Sequence, residues 1–365
     1  MDDIKFMKRA LALAEKGVGR VNPNPLVGAI IVKNGRVVGQ GYHERYGGHH
    51  AEVNALASCT TTEGATMYVT LEPCSHHGKT PPCVDAILES GISRLVVGSL
   101  DENPLVSSMD RIRASGIEVV TGVLKKECDE LNDVFFHYIK KKMPYVLMKY
   151  AMTCDGKTAT HTGASRWITG RAARNHVHED RNRYMGIMVG VGTVIADDPM
   201  LNCRRRAGGR NPMRMICDTT LRTPLDSRVI TTATEIPTIL ITACQDESQH
   251  QPYLNAGCQV LRVPLKGDQI DLHVAMKRLA EEGIDGILLE GGATLNAAAL
   301  EAGLVRKVQA YIAPKLFGGT TAPSPIAGTG VANPKQAYLI DKRRFTMLGE
   351  DILIEGEVVA CSRES

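Results

Sequence analysis

The stretch that decides the reading runs from His49 to Cys83: His49-His50-Ala51-Glu52, then Glu72-Pro73-Cys74, then Pro81-Pro82-Cys83. It supplies an imidazole, a carboxylate two residues further on, and two thiols that each follow a proline. A zinc ion held by one His and two Cys keeps its fourth tetrahedral position open, and a water placed there has its pKa lowered to ~7. The donor set therefore predicts a catalytic metal site, with His50, Cys74 and Cys83 as ligands. His49 is the competing imidazole, and the His-x-Glu spacing selects His50.

Glu52 is the group such a site still needs. Residues two apart on a helix diverge by roughly 200°, so a helix that begins at His50 leaves the imidazole to the metal and turns Glu52 towards the bound water. There it can take a proton from the water and hand it to a leaving amine. His-x-Glu followed by Pro-Cys and a second Cys is the signature of zinc deaminases of cytosine, adenine and related rings. Here eight residues, Ser75 to Pro82, separate the two cysteines, where the shortest form has two. Taken singly, Cys59, Cys128, Cys217 and Cys258 read as small buried apolar residues.

Outward from this stretch, apolar residues at Ile4, Met7, Leu11 and Ala14 predict a helix from Asp3 to Lys16, capped by Asp2 or Asp3 and stopped at Gly17. Val27–Val32 and Val37–Tyr42 are β-rich runs joined by Asn34-Gly35, a strong hairpin signal. A helix carrying Glu52 follows, then a strand over Thr66–Leu71, a helix from Cys83 to Ser90, and strands at Leu95–Gly98 and Glu118–Val120. Strands alternating with helices predict a layered α/β domain. Lys125 to Lys142 reads as one charged helix, and Met143-Pro144 breaks it. The boundary is placed there, giving domains 1–143 and 144–365, in keeping with a length of 365 residues.

The second half has no Gly-x-Gly-x-x-Gly. Gly190-Val191-Gly192-Thr193 and Glu290-Gly291-Gly292-Ala293-Thr294 each follow a β-rich run and precede a predicted helix, an arrangement that can offer backbone N–H groups to a phosphate. Arg181 and Arg204 suit bidentate phosphate recognition, and Trp167, the only tryptophan, offers a flat face for a ring.

Taken together, Asn22-Pro23-Asn24-Pro25-Leu26-Val27-Gly28, His50-Ala51-Glu52 and the block Glu72 to Cys83 resemble the deaminase half of the bifunctional deaminase-reductase family of riboflavin biosynthesis. In the second half Lys149, Asp155-Gly156-Lys157, Ser165 to Thr169, Gly190 to Thr193, Ala196 to Pro199, Leu201, Arg204, Asp218-Thr219, Glu290 to Gly292 and Ala313 to Leu316 are similar, in order and spacing, to the reductase half. The resemblance implies a cytidine-deaminase-like three-layer domain followed by a dihydrofolate-reductase-like domain. It also implies zinc and NADPH as cofactors and a phosphoribosyl-pyrimidine as substrate. By position-matching, Ala151, Trp167, Thr193, Asp197, Thr219, Gly292, Ala293, Thr294, Leu295, Asn296, Ala297 and Ala298 would contact NADPH. Ser165, Arg181, Leu201, Arg204 and Glu290 would contact the substrate of the reduction, with Lys149 or Glu290 assisting it. Asn22, Asn24, His43 and Lys79 would hold the substrate of the deamination. One departure stands out: the family pattern has a Gly-x-Gly turn after Asp-Pro-Asn-Pro, and this chain has a shorter run, Asp101-Glu102-Asn103-Pro104-Leu105-Val106-Ser107-Ser108.

Two other readings share parts of the pattern. A deaminase acting on RNA or DNA bases needs a basic, aromatic surface for the strand, and five Phe, ten Tyr and one Trp in a chain of net charge +3 argue against it. A zinc-stabilised nucleotide-binding module without turnover has no use for Glu52. No window offers ~18 consecutive apolar residues for a membrane span, and the N-terminus has no apolar signal segment. The expectation is a cytoplasmic homo-oligomer that binds neither nucleic acid nor membrane.

Overall fold

The structure, a computed structural model, describes residues 2–76, 81–103, 106 and 108–359. Lys79 and Ser107 lie outside the described residues. The chain divides into two compact units, Met1–Lys142 and Met143–Ser365. Among the described residues no helix is long and apolar enough to cross a membrane.

The first unit is built on five strands, β1 (Gly28–Lys33), β2 (Arg36–Tyr42), β3 (Thr66–Leu71), β4 (Arg94–Ser99) and β5 (Glu118–Thr121), in the order β2-β1-β3-β4-β5. β2, β1 and β3 are antiparallel neighbours, while β3, β4 and β5 run parallel. Asn34 and Gly35 join β1 to β2 with φ of 51° and 74°, the left-handed pair that a tight hairpin turn requires. Strand residues alternate between two cores. Ala29, Ile31, Met67, Val69, Leu95 and Val97 face one side, where Ala51, Ala55, Val84, Ile87 and Ile112 cover them. Ile30, Val32, Tyr68 and Val96 face the other, under Phe6, Met7, Ala10 and Leu13 of helix Asp3–Ala14. Helices on both faces of one sheet make the three-layer deaminase-like fold.

The sequence suggested one helix over Lys125–Lys142, and the structure has two, Lys125–Leu131 and Asp133–Lys141. Asn132 separates them because its side chain is committed elsewhere. It is buried, accepting from Leu26 N–H at 2.8 Å and donating to Leu26 C=O at 3.0 Å. The pairing pins the Asn22–Gly28 segment beside the helices.

The second unit carries a nine-stranded sheet. Its strands are β6 (Tyr145–Thr153), β7 (Gly186–Gly190), β8 (Met213–Cys217), β9 (Thr238–Thr242), β10 (Gln259–Arg262), β13 (Gly286–Leu289), β14 (Val305–Ala313), β15 (Leu339–Leu348) and β16 (Asp351–Val359), with β11 (Leu265–Lys266) and β12 (Gln269–Ile270) forming a separate hairpin. The order is β10-β9-β8-β7-β13-β6-β14-β16-β15, parallel from β10 to β14 and antiparallel through β16 and β15. Adjacent β7 and β13 end together, and Gly190 N–H donates to Gly291 C=O at 3.0 Å. In open sheets of this kind ligands bind beyond the carboxyl ends of the strands.

Candidate active sites

In the first unit the metal donors converge because three chain turns meet at one place. His50 is the extended residue that precedes helix Ala51–Ala57, Cys74 follows β3 by a short turn, and Cys83 opens helix Cys83–Glu89. His50 Nδ1 stands 3.2 Å from Cys83 Sγ and 3.5 Å from Cys74 Sγ. All three donor atoms lie within 4.8 Å of one another, as a tetrahedral zinc requires of one imidazole and two thiolates. His49 is exposed and turned away, its carbonyl accepting from His43 Nδ1 at 3.0 Å. Hydrogen bonds from the Cys83 thiol, from His50 and from the Cys83 backbone N–H hold Cys74 below the usual thiol range, while the bond to Cys74 and burial push Cys83 up. Both thiols would bind a cation as thiolates, releasing their protons as it binds.

Glu52 lies on the first turn of the helix that His50 precedes and is only 3% exposed. Burial raises its pKa above the ordinary carboxylate value, which suits a group that must carry a proton at neutral pH. His50, Glu52 and Cys74 line a cleft of about 280 Å³ together with Asn24, His43, Glu72, His76, Asp101 and Asn103. His43 is buried and burial lowers its pKa, so it is neutral. With Nδ1–H given to the His49 carbonyl, His43 Nε2 accepts from Asn24 Nδ2 at 3.1 Å. Asn24 Oδ1 is then the atom of that amide turned to a ligand. Asn24 and His43, expected from the sequence to hold the substrate, both line this cleft. Glu72, His76, Asp101 and Asn103 were missed as cleft residues; the one signal for Glu72 was a carboxylate placed directly before Pro-Cys.

In the second unit a cleft of about 190 Å³ brings Ala151, Ser165, Trp167, Arg181 and Arg204 together with Lys149, and adds Arg174, His178 and Tyr311, which sequence reasoning missed. Trp167 is 60% exposed, with the Arg174 guanidinium 4.4 Å from its ring. Glu290 is buried at the end of β13, where Arg181 grips it through Nε at 2.6 Å and Nη2 at 2.9 Å, and Lys149 Nζ stands at 3.8 Å. Burial alone would raise Glu290, but Arg181 and Lys149 outweigh it and hold its pKa at about 2. Burial lowers the pKa of Lys149. His178 is lowered to about 4 by burial and by Arg181 and Arg204, and its Nδ1 accepts from Arg204 N–H at 3.2 Å.

Next to this cleft the two glycine turns interlock: Gly292 N–H donates to Thr193 Oγ1 at 3.1 Å, and Ser165 Oγ reaches Asp197 Oδ1 at 3.2 Å. Asn296 Oδ1 is buried without a hydrogen-bond partner while its Nδ2 donates to Pro325 C=O. An orphaned acceptor on the first turn of helix Ala293–Glu301, which follows the glycine turn at the carboxyl end of a parallel strand, fits a polar cofactor. Not every position-matched residue turns its side chain to the cleft. Leu201, with φ of 48°, packs into the core with Ile187 and Val189, and Leu295 packs into the opposite core, so each has only its backbone to offer a ligand. The Thr219 carbonyl accepts from Ala243 N–H at 3.1 Å, closing the turn after β8.

Folds and clefts of these two kinds on one chain define a bifunctional enzyme, an aminohydrolase of the zinc type joined to a reductase. Residues 1–99 match the cytidine and deoxycytidylate deaminase zinc-binding region, and residues 144–354 match the RibD C-terminal domain. The chain belongs to the RibD family of riboflavin biosynthesis proteins. It is 50% identical over 363 residues to the riboflavin biosynthesis protein RibD of Actinobacillus pleuropneumoniae, covering 99% of this chain and 96% of that one. With RibD of Aquifex aeolicus it shares 43% identity over 355 residues, 96% of this chain and 97% of the relative. The crystal structure of a diaminohydroxyphosphoribosylaminopyrimidine deaminase/5-amino-6-(5-phosphoribosylamino)uracil reductase from Thermotoga maritima is similar at a TM-score of 0.85 and 38% identity, over 98% of this chain and 99% of that one.

Proposed function

We propose that residues 1–143 deaminate diaminohydroxyphosphoribosylaminopyrimidine and that residues 144–365 then reduce the ribosyl side chain of the product to ribityl with NADPH. The observation that carries the first half is the convergence of His50, Cys74 and Cys83 on a cleft where Glu52 is the buried acid. Zinc, when bound by those three residues, supplies the Lewis acidity that makes water a nucleophile at neutral pH. Glu52 takes the proton from the attacking water and delivers it to the departing nitrogen, so the ring carbon gains oxygen and ammonia leaves. Asn24, oriented by neutral His43, presents its Oδ1 as an acceptor to the N–H groups of the ring.

NADPH supplies the hydride for the second step, and the turns at Gly190–Thr193 and Gly292–Ala298, with Ala151, Trp167, Asp197 and Thr219, would hold it. Arg204 and Ser165, which line the cleft, would receive the phosphoribosyl-pyrimidine. Glu290 stays ionised at neutral pH under the hold of Arg181 and has no proton to give. Lys149, buried at the same cleft with its pKa lowered, is the proton donor that answers the hydride.

The working form is proposed to be a homo-oligomer in the cytoplasm, where the thiols of Cys74 and Cys83 stay reduced. Leu339, Phe345 and Met347 on edge strand β15, with Ile352 on β16, form an exposed apolar strip of the sort that pairs with another copy. The test of the catalytic assignment is ammonia release and NADPH oxidation by the purified, zinc-loaded chain. Glu52→Gln should keep its zinc and its reductase activity and lose deamination by ~10²-fold or more. Wild-type ammonia release from that variant would remove Glu52 from the mechanism.

A further inference from the structure

The deaminase cleft contains a carboxylate that the reaction does not use. Glu72 follows β3 directly and is buried, and each of its oxygens is spoken for. Oε1 accepts from both the backbone N–H and the hydroxyl of Ser108, at 3.0 and 2.9 Å, and Oε2 accepts from the backbone N–H of Asp101 at 3.2 Å. Asp101 continues the chain of bonds, its Oδ1 accepting from Asn103 N–H at 2.8 Å. Asp101 and Asn103 both line the cleft that holds His50 and Glu52. One side chain thus ties the wall of the site to the carboxyl ends of two neighbouring parallel strands, β3 and β4.

The shortened sequence after Asp101 gives this arrangement its meaning. Where the family pattern places a Gly-x-Gly turn, this chain has Ser107-Ser108, and Ser108 is fully buried with its hydroxyl on Glu72. A glycine has no such donor. We propose that Glu72, clamped by Ser108, is a positioning residue that fixes Asp101 and Asn103 against the pyrimidine. The proposal rests on the reading of this cleft as the deaminase site.

The test uses the full-length, zinc-loaded protein and the variants Glu72→Gln and Ser108→Ala. Glutamine keeps one oxygen for the two Ser108 donors and turns an NH2 group onto the Asp101 N–H, so that bond is lost while the side-chain shape is kept. Glu72→Gln should raise KM for diaminohydroxyphosphoribosylaminopyrimidine about tenfold, the size of one lost hydrogen bond to a charged acceptor. Its kcat, zinc content and NADPH oxidation should stay near wild type. Ser108→Ala, which leaves the Ser108 N–H in place, should raise KM about threefold. An unchanged KM in both variants, or zinc lost together with kcat, overturns the positioning role. If Glu72→Gln does not fold, Ser108→Ala decides alone, because an unchanged KM there is enough to refute the clamp. Failure of the underlying reading looks different: the wild type releases no ammonia, or Glu52→Gln releases it normally.

Discussion

Arg181→Met would test the electrostatics of the reductase cleft. Arg181 and Glu290 are both buried, with side chains 13% and 7% exposed, and they meet in a bidentate pair at 2.6 and 2.9 Å. Methionine keeps much of the volume and removes both hydrogen bonds, leaving Glu290 with Lys149 at 3.8 Å as its remaining cation. Removing one partner of a buried pair costs ~3–5 kcal/mol. The depressed carboxyl points to a similar magnitude: Arg181 and Lys149 together outweigh burial and hold Glu290 at about 2 against an ordinary 4.5, and at ~1.4 kcal/mol per pH unit that is on the order of 3 kcal/mol, most of it from the Arg181 pair. Because the folded carboxyl binds its proton less readily than the unfolded one, this stability is complete above ~4.5 and is lost as the pH falls through that value towards ~2. The gap between wild type and variant should therefore be full near pH ~7 and narrow below pH ~4.5. Urea unfolding followed by the fluorescence of Trp167, the only tryptophan, reads the second unit alone. A gap under ~1 kcal/mol at about pH 7, or one that is the same at about pH 3, would refute the account.

Much of the fold was legible because it follows from periodicity and turn chemistry. The continuous β-rich runs in Gly28–Lys33 and Thr66–Leu71, and the Asn34-Gly35 pair, specify their strands and hairpin from local sequence. The metal donors were legible for another reason: ligand chemistry permits few residue types, and the His-x-Glu spacing separates His50 from His49. What the sequence hid depends on partners far along the chain. Asn132 breaks a predicted helix because Leu26, 106 positions earlier, takes both of its amide atoms. Glu72 acquires its part only when β3 and β4 lie side by side and bring Asp101 and Ser108 to it. Leu201 was matched to a substrate contact by position, yet its left-handed backbone turns the side chain into the core. No local pattern announces any of these three.

Cys83→Ala should cost the protein both its zinc, read by elemental analysis, and its ammonia release, while NADPH oxidation continues when the deaminated intermediate is supplied; full zinc occupancy would contradict the ligand assignment. Asp197→Ala removes the partner of Ser165 Oγ and should weaken reduction ~10-fold with deamination intact, and loss of ammonia release in that variant would speak for one shared site. Phe345→Lys places a charge in the apolar strip of β15 and should lower the mass measured by light scattering if that strip pairs copies. Gly28→Ala addresses a residue whose neighbours suggest substrate binding but whose surroundings say otherwise. A Cβ there would stand 2.0 Å from Ala10 C=O and 2.8 Å from Ala14 N, both backbone atoms of helix Asp3–Ala14. Backbone cannot rotate away as a side chain can, so the helix must lift from β1 and open the core of Phe6, Met7, Leu13 and Ile30. Overpacking of this kind costs ~1–3 kcal/mol even where side chains can give way. The thermal transition of the zinc-loaded deaminase unit should fall by several degrees, ~2–4 °C for each kcal/mol in a unit of this size, while NADPH oxidation at room temperature, with the deaminated intermediate supplied, is unaffected. An unchanged transition would mean that the helix has room to move, and Gly28 would then have to be explained by the ligand and not by packing.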